Sequence, residues 1–284
     1  MSTPLLSVEG VTRRYPRPRR SLLRAQPPLV AVDGISFILK AGRTMGIVGE
    51  SGSGKSTLAR MVMGFEAPDA GRVLIDGQDI HALRGAALRA LRPRFQMIFQ
   101  DPFGSLDPRR PVGWSIAQPL RGAGQPATGE AIANALTQVG LRPADADKYP
   151  HEFSGGQRQR IAIARAVITK PALIVADEAV SALDVSVRAQ ILNLLMDLQE
   201  AMGVGILFIS HDLAVVASLC DDLLVMRRGR VEEQGRAGAI LRDPQAEYTR
   251  SLLAAARLAP RTEGPGGASG DAATATLATV RAPA

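Results

Sequence analysis

The segment Gly49-Glu50-Ser51-Gly52-Ser53-Gly54-Lys55-Ser56-Thr57 constrains this chain more than any other. It follows a short apolar run at 44–48 that reads as a strand, and a helix is expected to start near Lys55. Gly49, Gly52 and Gly54 let consecutive backbone N–H groups, that of Ser51 among them, turn inward at the positive end of the coming helix. Such a turn cradles phosphate oxygens. Lys55 supplies charge to β- and γ-phosphates, and the Ser56 hydroxyl, followed by Thr57, suits Mg²⁺. A flexible glycine loop would need neither the lysine nor the flanking strand and helix. At average composition, a chance match to this spacing in one chain has odds of about one per cent.

A second segment answers the first. Residues 172–176 are apolar and end in Asp177-Glu178. A buried strand would deliver Asp177 beside the loop, where it can hold Mg²⁺ through water, with Glu178 one residue further on to polarise an attacking water. Alone, this is an ordinary capped strand end. Paired with the phosphate loop, it predicts an α/β P-loop NTPase that takes ATP and Mg²⁺.

The rest of the chain fits alternating strands and helices. Strand-like runs at 5–11 and 29–39 are broken by Gly34 and Gly42, and 71–75 ends at the Asp76–Gly77 turn as an antiparallel strand does. Residues 83–91 look helical and 95–99 strand-like. From 101 to 150 turn residues are frequent, and 130–140 then has helical spacing, so a mostly helical insert is expected. Beyond Ser154 come helix, strand, helix (185–202), strand (204–209), helix (213–219), and a hairpin around Gly229 with arms at 223–226 and 231–233. This alternation argues for a largely parallel sheet with helices on its faces. Past Leu258, Gly, Ala, Thr and Pro dominate with no aromatic residue, which predicts a disordered tail over 259–284. The sequence contains no internal repeat.

Composition excludes several classes. No run approaches the ~18 apolar residues of a membrane-spanning helix, and residues 1–9 lack the layout of a secretory signal. A cytoplasmic protein is expected. The single cysteine, Cys220, rules out an internal disulfide or a multi-cysteine metal site within this chain, and its apolar surroundings predict a buried thiol. Lys and Arg exceed Asp and Glu by 34 to 27, a balance that suits nucleotides, nucleic acid or an anionic membrane surface. Much of the excess is Arg13, Arg14, Arg17, Arg19, Arg20 and Arg24, either a solvated loop or a contact with lipid headgroups or a partner.

The segment Phe153-Ser154-Gly155-Gly156-Gln157-Arg158 opens a helix upstream of Asp177. It resembles the signature of ABC ATPases, in which this second anion site closes over the γ-phosphate of ATP held by the opposite subunit. Other positions fall where that family's pattern places them. Gln100 resembles the glutamine that senses Mg²⁺ and the attacking water. Ser181-Ala182-Leu183-Asp184 is similar to the loop linking the two active sites of a dimer. His211 resembles the histidine that contacts the γ-phosphate, and Tyr15 the aromatic residue that stacks on adenine. His81 and His151 have no such context and read as surface or structural residues.

The resemblance covers about residues 5–253 and implies an ABC-type nucleotide-binding domain over 1–258. Its parts would be a RecA-like core, an antiparallel β subdomain, and a helical subdomain inserted at about 101–168. The segments 96–102, 105–109, 149–153 and 180–190 are similar to the oligopeptide and dipeptide importer branch, whose relatives also carry nickel and glutathione. Implied partners are a second ATPase subunit (a different chain, or a second copy) and two multi-span permeases. A solute-binding protein would act indirectly, and no nucleic acid is involved. The implied place is the cytoplasmic face of the inner membrane. Two features depart from the branch. Ala179 follows Glu178 where proline is usual, and the C-terminal residues carry no cysteine-bearing extension. Rival classes are an exporter ATPase, whose ATP site would look the same, and a soluble ABC ATPase acting on DNA or ribosomes.

Overall fold

The structure is a computed structural model that describes residues 4–17 and 26–258. Along the chain it runs β1 (Leu6–Tyr15), β2 (Leu29–Leu39), β3 (Thr44–Val48), α1 (Lys55–Val62), β4 (Ala70–Ile75), β5 (Gln78–Asp79), α2 (Gly85–Leu91) and β6 (Phe95–Ile98). Next come the helices α3 (Val112–Ile116), α4 (Gln118–Gly122), α5 (Gly129–Gln138) and α6 (Gly155–Val167). Then follow β7 (Leu173–Asp177), α7 (Val185–Met202), β8 (Gly205–Ser210), α8 (Leu213–Leu219), β9 (Asp222–Arg227), β10 (Arg230–Arg236), α9 (Ala237–Arg242) and α10 (Glu247–Leu258).

The strands form two sheets. One is antiparallel, in the order β2-β1-β4-β5; the other has the order β10-β9-β3-β8-β7-β6 and is parallel except for β10. Within the second sheet, β3 and β8 are buried along their whole length. That burial is what unbroken apolar runs such as Ile206–Ile209 require, since a parallel sheet is covered on both faces. The period of two then sorts the side chains. Ile47, Val175, Leu207 and Ile209 join the core shared with the antiparallel sheet and α1, whereas Val48, Ile174, Ala176 and Phe208 join the core made with α6, α7 and α8.

The antiparallel sheet corrects one expectation. Gly34 does not break the second strand-like run, because β2 pairs with β1 on both sides of it. Its φ of +67° lies in the left-handed region, and the register shifts between Val11↔Ile35 and Arg13↔Val32. A bulge absorbs the extra residue without ending the ladder. Gly42, with φ +66°, does fall in the turn between β2 and β3. The hairpin at Gly229 is longer than its apolar arms suggest, since its outer residues pair without being buried. The sequence reading places no element between that hairpin and residue 258, where α9 and α10 stand. The reading of a tail over 259–284 lies outside the described residues, as do Arg19, Arg20 and Arg24.

Between β6 and β7 the described residues form helices and turns with no strand, and a buried carboxylate holds the turn after α5. Asp145 accepts from Lys148 Nζ at 2.8 Å, from the Arg142 guanidinium at 3.2 Å and from the Arg142 backbone N–H at 3.1 Å. The Lys148 bond, aided by Arg142, holds its pKa down to about 2. A depressed carboxyl stabilises the fold above its unfolded pKa of about 3.9 and loses that contribution as pH falls through the folded value. Asp145→Asn is therefore expected to lower the thermal midpoint at pH 7 by about 2–4 °C. The difference from wild type should shrink between about pH 4 and pH 2, as melts across that range would show.

Candidate active site

The parallel ladder brings distant segments to one edge. Val48 pairs with Ser210, Asp177 with Ile209 and Ile98 with Ala176, so β3, β8, β7 and β6 end at nearly the same level. The residues just past those ends are the phosphate-loop residues, His211, Glu178 and Gln100. Strand C-termini of an open α/β sheet are where ligands of such folds sit.

The loop is held from inside and outside. Inside it, the Lys55 ammonium donates to the carbonyls of Gly49 at 2.7 Å and Glu50 at 2.9 Å. Burial lowers the Lys55 pKa, while Glu178 and Asp177 pull it back up. Outside it, the Gly229 N–H at the β9–β10 turn donates to the Ser53 carbonyl at 2.9 Å. Gly54 caps α1 at φ +106°, and a Cβ there would sit 2.2 Å from the Ala31 carbonyl oxygen.

Beside the loop, the Ser56 hydroxyl donates to Asp177 Oδ1 at 3.4 Å. Burial raises the Asp177 pKa, with the Glu178 charge adding to it and the Ser56 bond and Lys55 opposing. Gln100 Nε2 donates to Glu178 Oε2 at 3.1 Å, and His211 Nδ1 lies 3.3 Å from Glu178 Oε1. Glu178 has a φ of +48°, rare for a side chain of this kind, and its N–H donates to Ile209 O at 2.9 Å. Ala179, behind it, is buried. Hydroxyl, carboxylate and amide oxygens are the hard donors that Mg²⁺ takes, so Ser56, Asp177 and Gln100 fit that ion in kind.

A cleft of about 530 Å³ opens over the loop. Ser51, Gly52, Gly54, Lys55, Ser56 and Thr57 form its floor, Glu178 one end, and Tyr15 with Leu29 and Val30 an apolar wall. The Tyr15 hydroxyl donates to Glu66, and the Arg13 guanidinium lies 5.1 Å from the ring centroid. Arg228, at φ +48° in the β9–β10 turn, also lines the cleft. Sequence reasoning missed Arg228, Leu29 and Val30. An Arg-Gly pair after an apolar strand signals a hairpin, and nothing local says where its tip lands.

The remaining site candidates stand apart. Ser154 caps α6, accepting from the Gln157 N–H at 3.3 Å while the Gln157 side chain accepts from the Ser154 N–H at 2.9 Å. Ser154 and Gly155 are exposed, and neither they nor Gly156 nor Gln157 lines the cleft. A Cβ on Gly156 would sit 2.5 Å from Val187 Cγ1, so α6 and α7 approach closely there. Ser181 folds back on Glu178, its N–H and hydroxyl donating to that carbonyl at 3.1 and 3.0 Å. Asp184, exposed, precedes α7. From α7, Arg188 donates to Asp212, the neighbour of His211, and to the Leu183 carbonyl, tying these loops together. His81 Nε2 lies 2.9 Å from the Met61 carbonyl, and Cys220 is a free, buried thiol.

A glycine loop ending in Lys55, an Asp-Glu strand end and a serine-capped Gly-Gly helix start match the pattern of an ATP-binding cassette, and the comparisons agree. The profile of the ABC transporter family matches residues 32–181. The probable peptide ABC transporter ATP-binding protein y4tS of Sinorhizobium fredii is 49% identical over 90% of this chain and 73% of its own length. The glutathione import ATP-binding protein GsiA of Salmonella typhimurium is 50% identical over 90% of this chain and 42% of its own length. The chain thus spans about two-fifths of those glutathione-import relatives. Among solved structures, cbiO1 of Clostridium perfringens, part of the transporter complex cbiONQ, superposes with a TM-score of 0.71 at 28% identity, covering 90% of this chain and 96% of that one. A dimeric post-hydrolysis state of the cassette MJ0796 bound to ADP and Pi gives 0.70 at 28%, covering 82% and 98%. This chain belongs to the ABC transporter family, and its fold is that of the family's nucleotide-binding domain.

Gly54→Ala tests the loop geometry. A methyl group 2.2 Å from a backbone oxygen, at a φ that disfavours any Cβ, is expected to cost at least about 2 kcal/mol in denaturant titrations.

Proposed function

We propose that this chain is the ATP-hydrolysing subunit of an ABC importer that serves peptides or a peptide-like solute such as glutathione. The observation that carries hydrolysis is the convergence of Gln100 and His211 on the two oxygens of Glu178, beside Lys55 and Asp177. Lys55 and the loop N–H groups bind the phosphates, and the wall of Tyr15, Leu29 and Val30 takes the adenine. Ser56, Asp177 and Gln100 would hold Mg²⁺, which when bound neutralises charge developing on the β- and γ-phosphates. Glu178 takes the proton from the attacking water as general base, while His211 and Gln100 fix its orientation. The substrate class rests on the relatives named for peptide and glutathione import at 49 and 50% identity.

Because Ser154–Gln157 lie outside the cleft, the site is completed in this reading by the signature of a second ATPase subunit, stacked head to tail. Ser154 and the start of α6 would close over the partner's γ-phosphate, with Asp184 at the seam. Closing and opening of that dimer would drive two permease subunits. Their docking place in this reading is the groove of about 340 Å³ lined by Phe99, Gln96, Gln118 and Arg165, next to Gln100. The chain would then work at the cytoplasmic face of the cell membrane. Among the described residues, no helix is long and apolar enough to cross a membrane.

Glu178→Gln keeps the size and the hydrogen-bonding edge of the side chain but removes the base. ATP turnover in the assembled complex is expected to fall by about 10²–10⁴-fold while ATP binding persists. Normal turnover would sink the assignment. Trapping this variant with ATP and identifying what copurifies from solubilised membranes tests the transport reading. Permeases and a second ATPase subunit are expected.

A further inference from the structure

The phosphate loop has one more partner, and it comes from the far end of the chain. The Glu50 backbone N–H donates to the Tyr248 hydroxyl at 3.2 Å. Tyr248 lies in the first turn of α10 and is 6% exposed, although the loop residue it meets is exposed. One contact holds its ring and another holds the start of its helix. The Arg227 guanidinium, at the end of β9, lies 4.7 Å from the ring centroid. The Glu233 carboxylate on β10 accepts from the backbone N–H groups of Gln245 and Ala246 at 2.9 and 3.1 Å, which anchors the turn leading into α10.

The bond matters because of which peptide it holds. The Gly49 carbonyl and the Glu50 N–H belong to one peptide unit, which is planar, so the two groups point in opposite directions. The carbonyl accepts from the Lys55 ammonium at 2.7 Å, and the N–H donates to Tyr248. Gly49 has a φ of +155°, and a Cβ there would sit 2.1 Å from the Met226 carbonyl oxygen. The glycine that this crowding demands is also the residue whose own preferences do least to select one peptide orientation. The partners on either side must do so.

We propose that Tyr248 is a positioning residue of the phosphate loop: it locks the Gly49–Glu50 peptide so that the Gly49 carbonyl aims the Lys55 ammonium, making α10 part of the nucleotide site. The inference rests on reading this loop as the ATP site. Loss of the hydroxyl leaves the Gly49–Glu50 peptide held from the Lys55 side alone, so it samples other orientations and aims the ammonium less well.

Tyr248→Phe removes the acceptor and keeps the ring against Arg227. In the full chain, the Kd for ATP and the KM for ATP are expected to rise about two- to tenfold, the net worth of one hydrogen bond. The turnover number should stay within about twofold, since the lost contact orders binding before chemistry. The thermal midpoint without nucleotide should fall by no more than one hydrogen bond allows, about 2–4 °C, and the Glu50 amide should exchange its hydrogen faster than in wild type. An unchanged Kd, or an unchanged Glu50 exchange rate, overturns the proposal. A rise in Kd accompanied by a fall in thermal midpoint well beyond about 4 °C also overturns it, leaving Tyr248 a packing residue. If Lys55→Ala binds ATP as well as wild type, the ATP-site reading itself falls; if Lys55→Ala loses binding and Tyr248→Phe does not, only the present inference fails.

Discussion

Everything at the site depends on the parallel ladder of β6, β7, β8 and β3. Its hydrogen bonds set a register in which Ile98, Asp177, Ser210 and Val48 lie at or next to the strand ends. With side chains alternating between two buried faces, a slip of one residue in any strand would exchange the faces of its apolar residues. Burial therefore fixes the register, and the register carries Gln100, Glu178 and His211 to a common point. The chemistry sits just past the strands, where backbone groups are released from the sheet and side chains can turn over its edge.

The electrostatics follow from that placement. Lys55 and Asp177 lie in partly desolvated surroundings, where burial opposes the charge of each and their mutual attraction restores part of it. Such a cluster is poised for a polyanion, because added negative charge on the Lys55 side and a cation on the carboxylate side would each relieve a strained balance. The left-handed φ of Glu178 belongs to the same design. Its N–H bond to Ile209 and the folded-back Ser181 hold a conformation that a glutamate would not choose in a free chain.

The site is also lopsided. The floor and one wall are present, while the exposed start of α6 presents a second capped helix end elsewhere on the surface. Gly156 packs closely against Val187 of α7, and Arg188 on the same helix reaches Asp212 beside His211, so one helix touches both loops.

The sequence by itself determined the elements whose signal is local. The spacing from Gly49 to Thr57 fits a tight glycine turn between strand and helix, the apolar runs at 172–176 and 204–209 require buried strands, and 185–202 has the length of a helix. Gln100 and His211 could be picked out only through family resemblance, since a lone glutamine or histidine after a strand carries no chemistry of its own. The tertiary structure decided what surrounds these parts. It carried β2 through Gly34, because pairing outweighs a local breaker when a bulge is available. It placed Leu29, Val30 and Arg228 on the cleft, and brought Gly229 and Tyr248 against Ser53 and Glu50. The Tyr248–Glu50 contact joins residues 198 positions apart. No local pattern encodes such contacts, because only packing in three dimensions chooses which surface meets the back of the loop.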